Sequence, residues 1–130
     1  YLDGDQIIQV LTNIISNAYQ AMQSGGRLLI TVWDDAENVF IEIRDSGIGI
    51  PPENRKKIFE PFFTTKPLGK GVGLGLAVTY GIVKMHCGDI RVESNTDTEA
   101  GPTGTAFIIR LPRGETENEQ GTNAKENIPL

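Results

Sequence analysis

The chain holds very little of what most often does chemistry unaided: among 130 residues there is one cysteine, Cys87, and one histidine, His86. A lone cysteine excludes an internal disulfide and a cysteine metal cluster, and it fits a reducing, cytoplasmic compartment. Positive charge is also short. A formal net charge of −5 removes the usual basis for binding nucleic acid or an anionic membrane. No apolar run approaches the roughly 20 residues that span a bilayer, and no signal peptide is present; a membrane anchor, if the parent protein has one, lies elsewhere. Internal repeats are missing. The opening Tyr1-Leu2-Asp3 has no methionine, as expected of a piece excised from a longer protein.

What is present is an ordinary globular balance, 38% hydrophobic and 22% charged, enough for one domain with a real core. Apolar residues at Ile7, Leu11, Ile14, Ala18 and Met22 predict a helix over Asp5–Gln23, capped by Asp3 or Asp5 and ended by Ser24-Gly25-Gly26. Leu28–Trp33 and Val39–Asp45 read as strands joined by a polar turn. Pro51-Pro52 opens a short helical turn through Lys57. Pro61–Val72 lacks an apolar period and reads as a mobile loop. A second helix is predicted over Gly73–His86, then strands at Asp89–Ser94 and Thr105–Leu111. The domain therefore covers residues 1–112, and the Glu- and Asn-rich stretch 113–130 reads as a disordered acidic tail. The fold class is α+β, a two-layer α/β sandwich: a mixed, mostly antiparallel sheet with helices on one face.

Three features carry chemistry. On the first helix Gln6, Gln9, Asn13, Asn17 and Gln20 share one stripe, and no charged residue occurs between Gln6 and Gly26. A solvated face would ordinarily use Lys, Glu and Arg. Neutral amides suit a wall beside a metal–anion pair, where a carboxamide oxygen joins a hard cation's shell; a merely polar exposed face is the plainer alternative. Second, period-two alternation puts Asp45 on the inward side with Val39, Ile41 and Ile43. A turn-starting aspartate before Ser46-Gly47 is the ordinary explanation. The other is a carboxylate awaiting a ligand amine such as that of adenine, with Gly47 and Gly49 letting a flat ring lie against the backbone. Third, Gly69-Lys70-Gly71-Val72-Gly73-Leu74-Gly75 places glycine at every second position running into a helix. Exposed amides at a helix N-terminus bind anions, and Lys66 and Lys70 flank them. The spacing fits neither a dinucleotide fingerprint nor a Walker A loop; a glycine hinge is the competing explanation.

Asn13-Ile-Ile-Ser-Asn17-Ala18 resembles the asparagine box of histidine kinases. Asp45-Ser-Gly47-Ile-Gly49-Ile50 resembles their first glycine box, and Ile58-Phe59-Glu-Pro-Phe-Phe63 their phenylalanine box. Gly71-Val72-Gly73-Leu74-Gly75-Leu76 is similar to the second glycine box and Gly104-Thr105 to the last. All five stand in the family's order, over about Asp3 to Pro112. Asn17-Ala-Tyr19-Gln-Ala-Met22 and Phe62-Phe-Thr-Thr65-Lys66 resemble the nitrogen-regulation branch. The resemblance implies the Bergerat ATP-binding fold, shared with gyrase, a heat-shock chaperone and a mismatch-repair ATPase, with ATP and Mg2+ as cofactors. By position, Asn17 would bind magnesium and Asn13 would sit near the γ-phosphate. Asp45 would accept from the adenine amine, with a water shared by Thr105 and Gly49. Gly71, Gly73 and Gly75 would approach the phosphates, and Gly47, Ile50, Tyr19, Phe59, Thr65, Lys66, Lys70, Val72, Leu74 and Leu76 would complete the nucleotide contacts. Residues of about 51–72 would form a lid tethered by Phe62 and Phe63.

The hydrolytic relatives generally carry glutamate where Asn13 stands. An amide cannot take a proton from water at neutral pH, so the resemblance implies slow hydrolysis and transfer of the γ-phosphate to an external nucleophile. In the family that nucleophile is a histidine on a separate helical hairpin, and a response regulator acts downstream. His86 is better read as a residue at a helix C-terminus, and Cys87 as a packed residue where the family commonly has glycine. The parent is expected to be a homodimer through the hairpin and this piece a monomer. The family's strand before the first helix is missing, so one sheet edge is expected to be open. The rival readings are a serine/threonine kinase of the anti-sigma type and a nucleotide-sensing module that transfers nothing.

Overall fold

A computed structural model describes residues 3–61, 63 and 75–113 of the chain. The first helix, α1, runs Gly4–Ala21. Asp3 caps it, its carboxylate accepting from the backbone N–H of Asp5 at 3.0 Å and of Gln6 at 3.3 Å, which satisfies two of the first-turn amides that have no partner within the helix. The helix ends four residues before Gly25, whose φ of +98° turns the chain away.

Strands β1 (Leu28–Asp34) and β2 (Asn38–Asp45) form a hairpin. Its turn is fixed by Asp35, which accepts from the N–H of Glu37 at 2.8 Å and of Asn38 at 2.7 Å. A 3-10 turn at Pro52–Asn54 follows, then α2 (Gly75–Met85), β3 (Asp89–Asn95) and β4 (Gly104–Pro112). The sheet order is β1-β2-β4-β3 with every pairing antiparallel. β2 and β3 therefore run parallel on either side of β4, joined by the crossover that contains α2, a split β-α-β arrangement. The described strands show no parallel neighbours, so the mixed sheet expected from the sequence is here wholly antiparallel.

Both helices lie on one face. Val10 and Ile14 of α1, Ile82 and Val83 of α2, Ile43 of β2, and Phe107, Ile109 and Leu111 of β4 form the core, with Ile58 beside them. The buried α1 residues are Val10, Ile14 and Ala18; Ile14 and Ala18 belong to the predicted stripe, while Val10 does not, and the predicted Ile7, Leu11 and Met22 are half-buried at its edge. Each fully buried Ile or Val contributes about 1.5–3 kcal/mol. Phe59 lies tilted against Tyr80 at 5.3 Å and meets Phe107 edge-on at 6.3 Å. Phe63 also packs against the core.

β1 is an edge strand, and all seven of its residues are exposed, with Leu28, Leu29, Ile30, Val32 and Trp33 among them. At the other end of the sheet, Arg113, which composition assigns to the tail, is fixed to the β1–β2 turn: its N–H donates to Glu37 O at 2.8 Å and its guanidinium to Asp35 O at 2.9 Å and to the Asp34 carboxylate. The rest of the tail, 114–130, lies outside the described residues. Among the described residues, no helix is long and apolar enough to cross a membrane.

Candidate nucleotide site

The site grows from the inward end of β2. Ile43 and Asp45 face the helices on alternate positions, and Asp45 is only 6% exposed. Its Oδ1 accepts from Gly47 N at 2.8 Å and from Thr105 N at 3.3 Å. Among the described residues Oδ2 accepts nothing. Burial pushes the Asp45 carboxyl above its ordinary pKa, while the two backbone donors pull it back. A buried carboxylate oxygen is costly unless a donor meets it. Asp45 thus starts the Ser46-Gly47 turn, as the ordinary sequence explanation has it, through one oxygen.

The turn is held tightly. A Cβ on Gly47 would collide with the Ala21 carbonyl at the end of α1, and one on Gly49, at φ +82°, with the Asn95 carbonyl. These glycines are therefore demanded by protein packing, whether or not a flat ring lies against them. Ile48 N donates to Ala21 O at 3.2 Å, which joins the turn to α1.

Ser94, Thr105 and Asp45 stand side by side across β3, β4 and β2, all on the helix-facing surface. Ser94 Oγ lies 2.7 Å from Ile50 N, 2.9 Å from Gly104 O and 2.8 Å from Thr105 Oγ1. Arg55 closes the circuit, donating to Ile50 O at 3.1 Å and Ser94 O at 2.7 Å. Sequence reasoning passed over Ser94 and Arg55, although the alternation Ile90, Val92, Ser94 points Ser94 inward by the rule that found Asp45.

At the far end of the site the Asn13 carboxamide donates to Gly75 O at 3.1 Å and to Thr79 Oγ1 at 3.3 Å. Asn13 thereby holds the start of α2 beside α1, a task the sequence did not reveal, and Thr79 is the fully buried hydroxyl that receives it. Asn17, half-buried, lies one turn along between Asn13 and Ala21, and its carboxamide makes no protein hydrogen bond among the described residues. From Asn13 to Ala21 the helix rises about 12 Å. One stripe of α1 thus joins the Asp45 turn to the N-terminal end of α2. Tyr19 is 79% exposed on the same helix. Leu76 and Ile50 pack on the core, and Phe59 has its ring engaged by Tyr80 and Phe107 as described. Thr65, Lys66, Lys70, Gly71, Val72, Gly73 and Leu74, together with Phe62, lie outside the described residues. No group of three His, Cys, Asp or Glu side chains that could hold a metal occurs among the described residues.

A hollow of about 480 Å³ is lined by Asp45, Ser46, Ser94, Asn95 and Gly104 together with Arg27, Leu29, Arg44 and Glu93. Leu29, Arg44 and Glu93 belong to the register of the opposite, outward face, so the hollow reaches from the Asp45 row around the end of the sheet to its outer side.

A split β-α-β sheet with two helices on one face, a buried aspartate at a glycine turn, and an asparagine-lined helix beside a second helix's N-terminus define an ATP-binding domain of the two-layer type. Residues 2–115 match the family described as histidine kinase-, DNA gyrase B-, and HSP90-like ATPase, and the chain belongs to that family. Its relatives place it with the catalytic domains of sensor histidine kinases. It is 42% identical over 115 residues to Sporulation kinase A of Bacillus subtilis (strain 168), an alignment that covers 87% of this chain and 18% of that protein. It superimposes on a mycobacterial sensor histidine kinase, MprB, with TM-score 0.74 at 35% identity, over 85% of this chain and 74% of that one. A third similar structure is full-length ShkA in complex with AMPPNP, with TM-score 0.70 at 28% identity, covering 82% of this chain and 21% of that one.

Proposed function

We propose that this domain binds Mg-ATP along α1 and presents the γ-phosphate to a histidine on a separate helical hairpin of the same parent protein, from which the phosphoryl group passes to a response regulator. The observation that carries this reading is Asp45, with Oδ1 held by Gly47 N and Thr105 N and Oδ2 unengaged among the described residues. Adenine offers its exocyclic amine to Oδ2, and Thr105 and Gly49 share a water beside it. The chain then runs toward Gly75, where the first turn of α2 and its dipole favour phosphate. Gly71, Gly73, Lys66 and Lys70 complete the phosphate contacts, with Tyr19, Thr65, Val72 and Leu74 around the nucleotide. AMPPNP in the ShkA structure accords with an adenine nucleotide as ligand.

Magnesium fits the donor set. Mg2+ keeps several waters and binds through few protein oxygens plus substrate phosphates, and Asn17 offers midway along the site a carboxamide oxygen with no partner among the described residues. When bound, the ion neutralises charge on the phosphates.

Asn13 shapes the outcome. It lacks the basicity to activate water, and its amide N–H groups are engaged by Gly75 O and Thr79. The domain positions the phosphoryl group and leaves attack to an incoming nucleophile. The parent acts as a homodimer through its hairpin, and this domain alone is monomeric.

The test is single-turnover transfer from labelled ATP to the parent's hairpin domain supplied separately. Label on the hairpin histidine, with little free phosphate, is the expected result. Rapid phosphate release without transfer would favour a hydrolytic ATPase. Binding with neither transfer nor release would favour the nucleotide-sensing module, and label on a protein serine the anti-sigma type of kinase.

A further inference from the structure

The Ser94 hydroxyl is committed on three sides. A serine hydroxyl has one hydrogen to give and two lone pairs to receive. Ile50 N–H, at 2.7 Å, can only donate, so it takes one lone pair. Gly104 O, at 2.9 Å, can only accept, so the Ser94 hydrogen lies on that line. The remaining contact, Thr105 Oγ1 at 2.8 Å, is then a bond in which Thr105 donates. With its hydrogen spent on Ser94, Thr105 faces the site with lone pairs alone.

Its neighbour is acceptor-only as well. The ionised Asp45 gives Oδ1 to Gly47 N and Thr105 N and keeps Oδ2 for a ligand. Two acceptors thus stand side by side on β2 and β4, and the third residue in that row, on β3, fixes the second of them. A ligand edge meets them only with donors, either an amine or a water that turns its hydrogens inward. A carbonyl in the same place would set oxygen against oxygen, the kind of mismatch by which a site rejects a close analogue.

We propose that Ser94 is a positioning residue that sets base selectivity: by accepting the Thr105 hydroxyl hydrogen it keeps the site acceptor-only, so that purines with a 6-amino group bind and 6-oxo purines are refused. This rests on the reading of Asp45 as the adenine anchor. Arg55 supports the arrangement, since its guanidinium bonds to Ile50 O and Ser94 O keep the Ile50 amide aimed at Ser94.

The experiment is calorimetric titration of the 130-residue chain with ATP and with inosine triphosphate, which differ at purine position 6 and the adjoining N1 proton. The wild type is expected to favour ATP by about 100-fold or more. Ser94→Ala frees the Thr105 hydroxyl to turn and donate to a 6-oxo group, so the ATP:ITP preference should fall about tenfold, the worth of one ordinary hydrogen bond. Thr105→Val should lower the preference too, and Ser94→Ala should add nothing in that background. Ser94→Thr, which keeps the hydroxyl, should preserve the preference.

A purely structural Ser94 would weaken both nucleotides by the same factor with the preference unchanged, and that result overturns the proposal. Should Ser94→Ala fail to fold, Thr105→Val decides alone, because an unaltered preference there removes the link from Thr105 to the base. A wild type that binds ATP and ITP equally overturns the selectivity proposal and leaves phosphate binding standing. A folded wild type that binds neither overturns the nucleotide reading itself.

Discussion

Replacing Asp45 with Asn should separate binding from folding. Both backbone donors to Asp45, Gly47 N at 2.8 Å and Thr105 N at 3.3 Å, converge on the same oxygen, Oδ1. An asparagine keeps that oxygen and both bonds. It puts an NH2 where Oδ2 stood, so a ligand amine now meets a donor. A hydrogen bond to a charged group contributes about 1.5–3 kcal/mol, which is about 10- to 150-fold in affinity, and the donor–donor clash adds to it. Stability should move the other way. Burial raises the Asp45 carboxyl pKa above its ordinary value in the folded state, so the folded domain favours the protonated acid. That contribution is fully present below the unfolded value and is lost as pH rises through the folded one. At neutral pH the ionised Asp45 is therefore a cost to folding that Asp45→Asn removes. Asp45→Ala differs, because it orphans the Gly47 and Thr105 N–H groups at about 1–3 kcal/mol each. Calorimetric titration with ATP, paired with thermal melting at pH 7, reads both effects. The expected order is Asn at or above wild type in melting temperature and Ala below, with ATP binding lost in both. An Asp45→Asn chain that binds ATP as the wild type does would refute the anchor. One that melts as low as the alanine variant would refute the hydrogen-bond argument.

Other perturbations follow from particular contacts. Gly104 has φ +148° and its Cβ would strike the Asp45 carbonyl, so Gly104→Ala should lower the melting temperature and weaken ATP binding together; a neutral result in both assays would contradict the close approach. Ile14 is fully buried in the core, and Ile14→Ala should cost about 2–5 kcal/mol in urea unfolding; a cost under 1 kcal/mol would mean α1 is not packed as described. Asn13→Ala should loosen the start of α2 by removing the bonds to Gly75 O and Thr79, visible as faster amide exchange in α2 without nucleotide. Unchanged exchange would show that those bonds hold nothing. The turn bonds from Glu37 N and Asn38 N hold the exposed Asp35 carboxyl below its ordinary pKa. Its stabilising contribution is present above the ordinary value and lost as pH falls through the lowered one. An acid-side loss of stability should therefore shrink in Asp35→Asn, which retains an acceptor oxygen, and an undiminished loss would place its origin elsewhere.

Much of this was legible in the residues, and the reasons differ by element. The 3.6-residue period of α1 and the two-residue period of β2 are local, so they located the helix, the inward Asp45 and the amide stripe. The centre of the α1 stripe on Val10 was not legible, because Ile7, Val10, Leu11 and Ile14 all fit a helical face and only the sheet selects among them. Gly47 and Gly49 stood out as glycines, but their reason is long-range: the carbonyls of Ala21 and Asn95 lie 26 and 46 positions away. Ser94 escaped notice since a hydroxyl at a strand end reads as the start of a turn. Its role depends on Thr105 and Ile50, which only the register β2-β4-β3 brings to it. The strand Leu28–Trp33 was found from its apolar run, and its continuation to Asp34 and its exposure along the whole length became visible only from its pairing at the sheet edge.

The central claim is that this domain binds an adenine nucleotide through Asp45 with magnesium at Asn17. Its most direct test is calorimetric titration of the unmodified chain with ATP, with and without Mg2+. One saturable site, tightened by magnesium, is the result this account requires. A chain shown to be folded that takes up no ATP under either condition would contradict it.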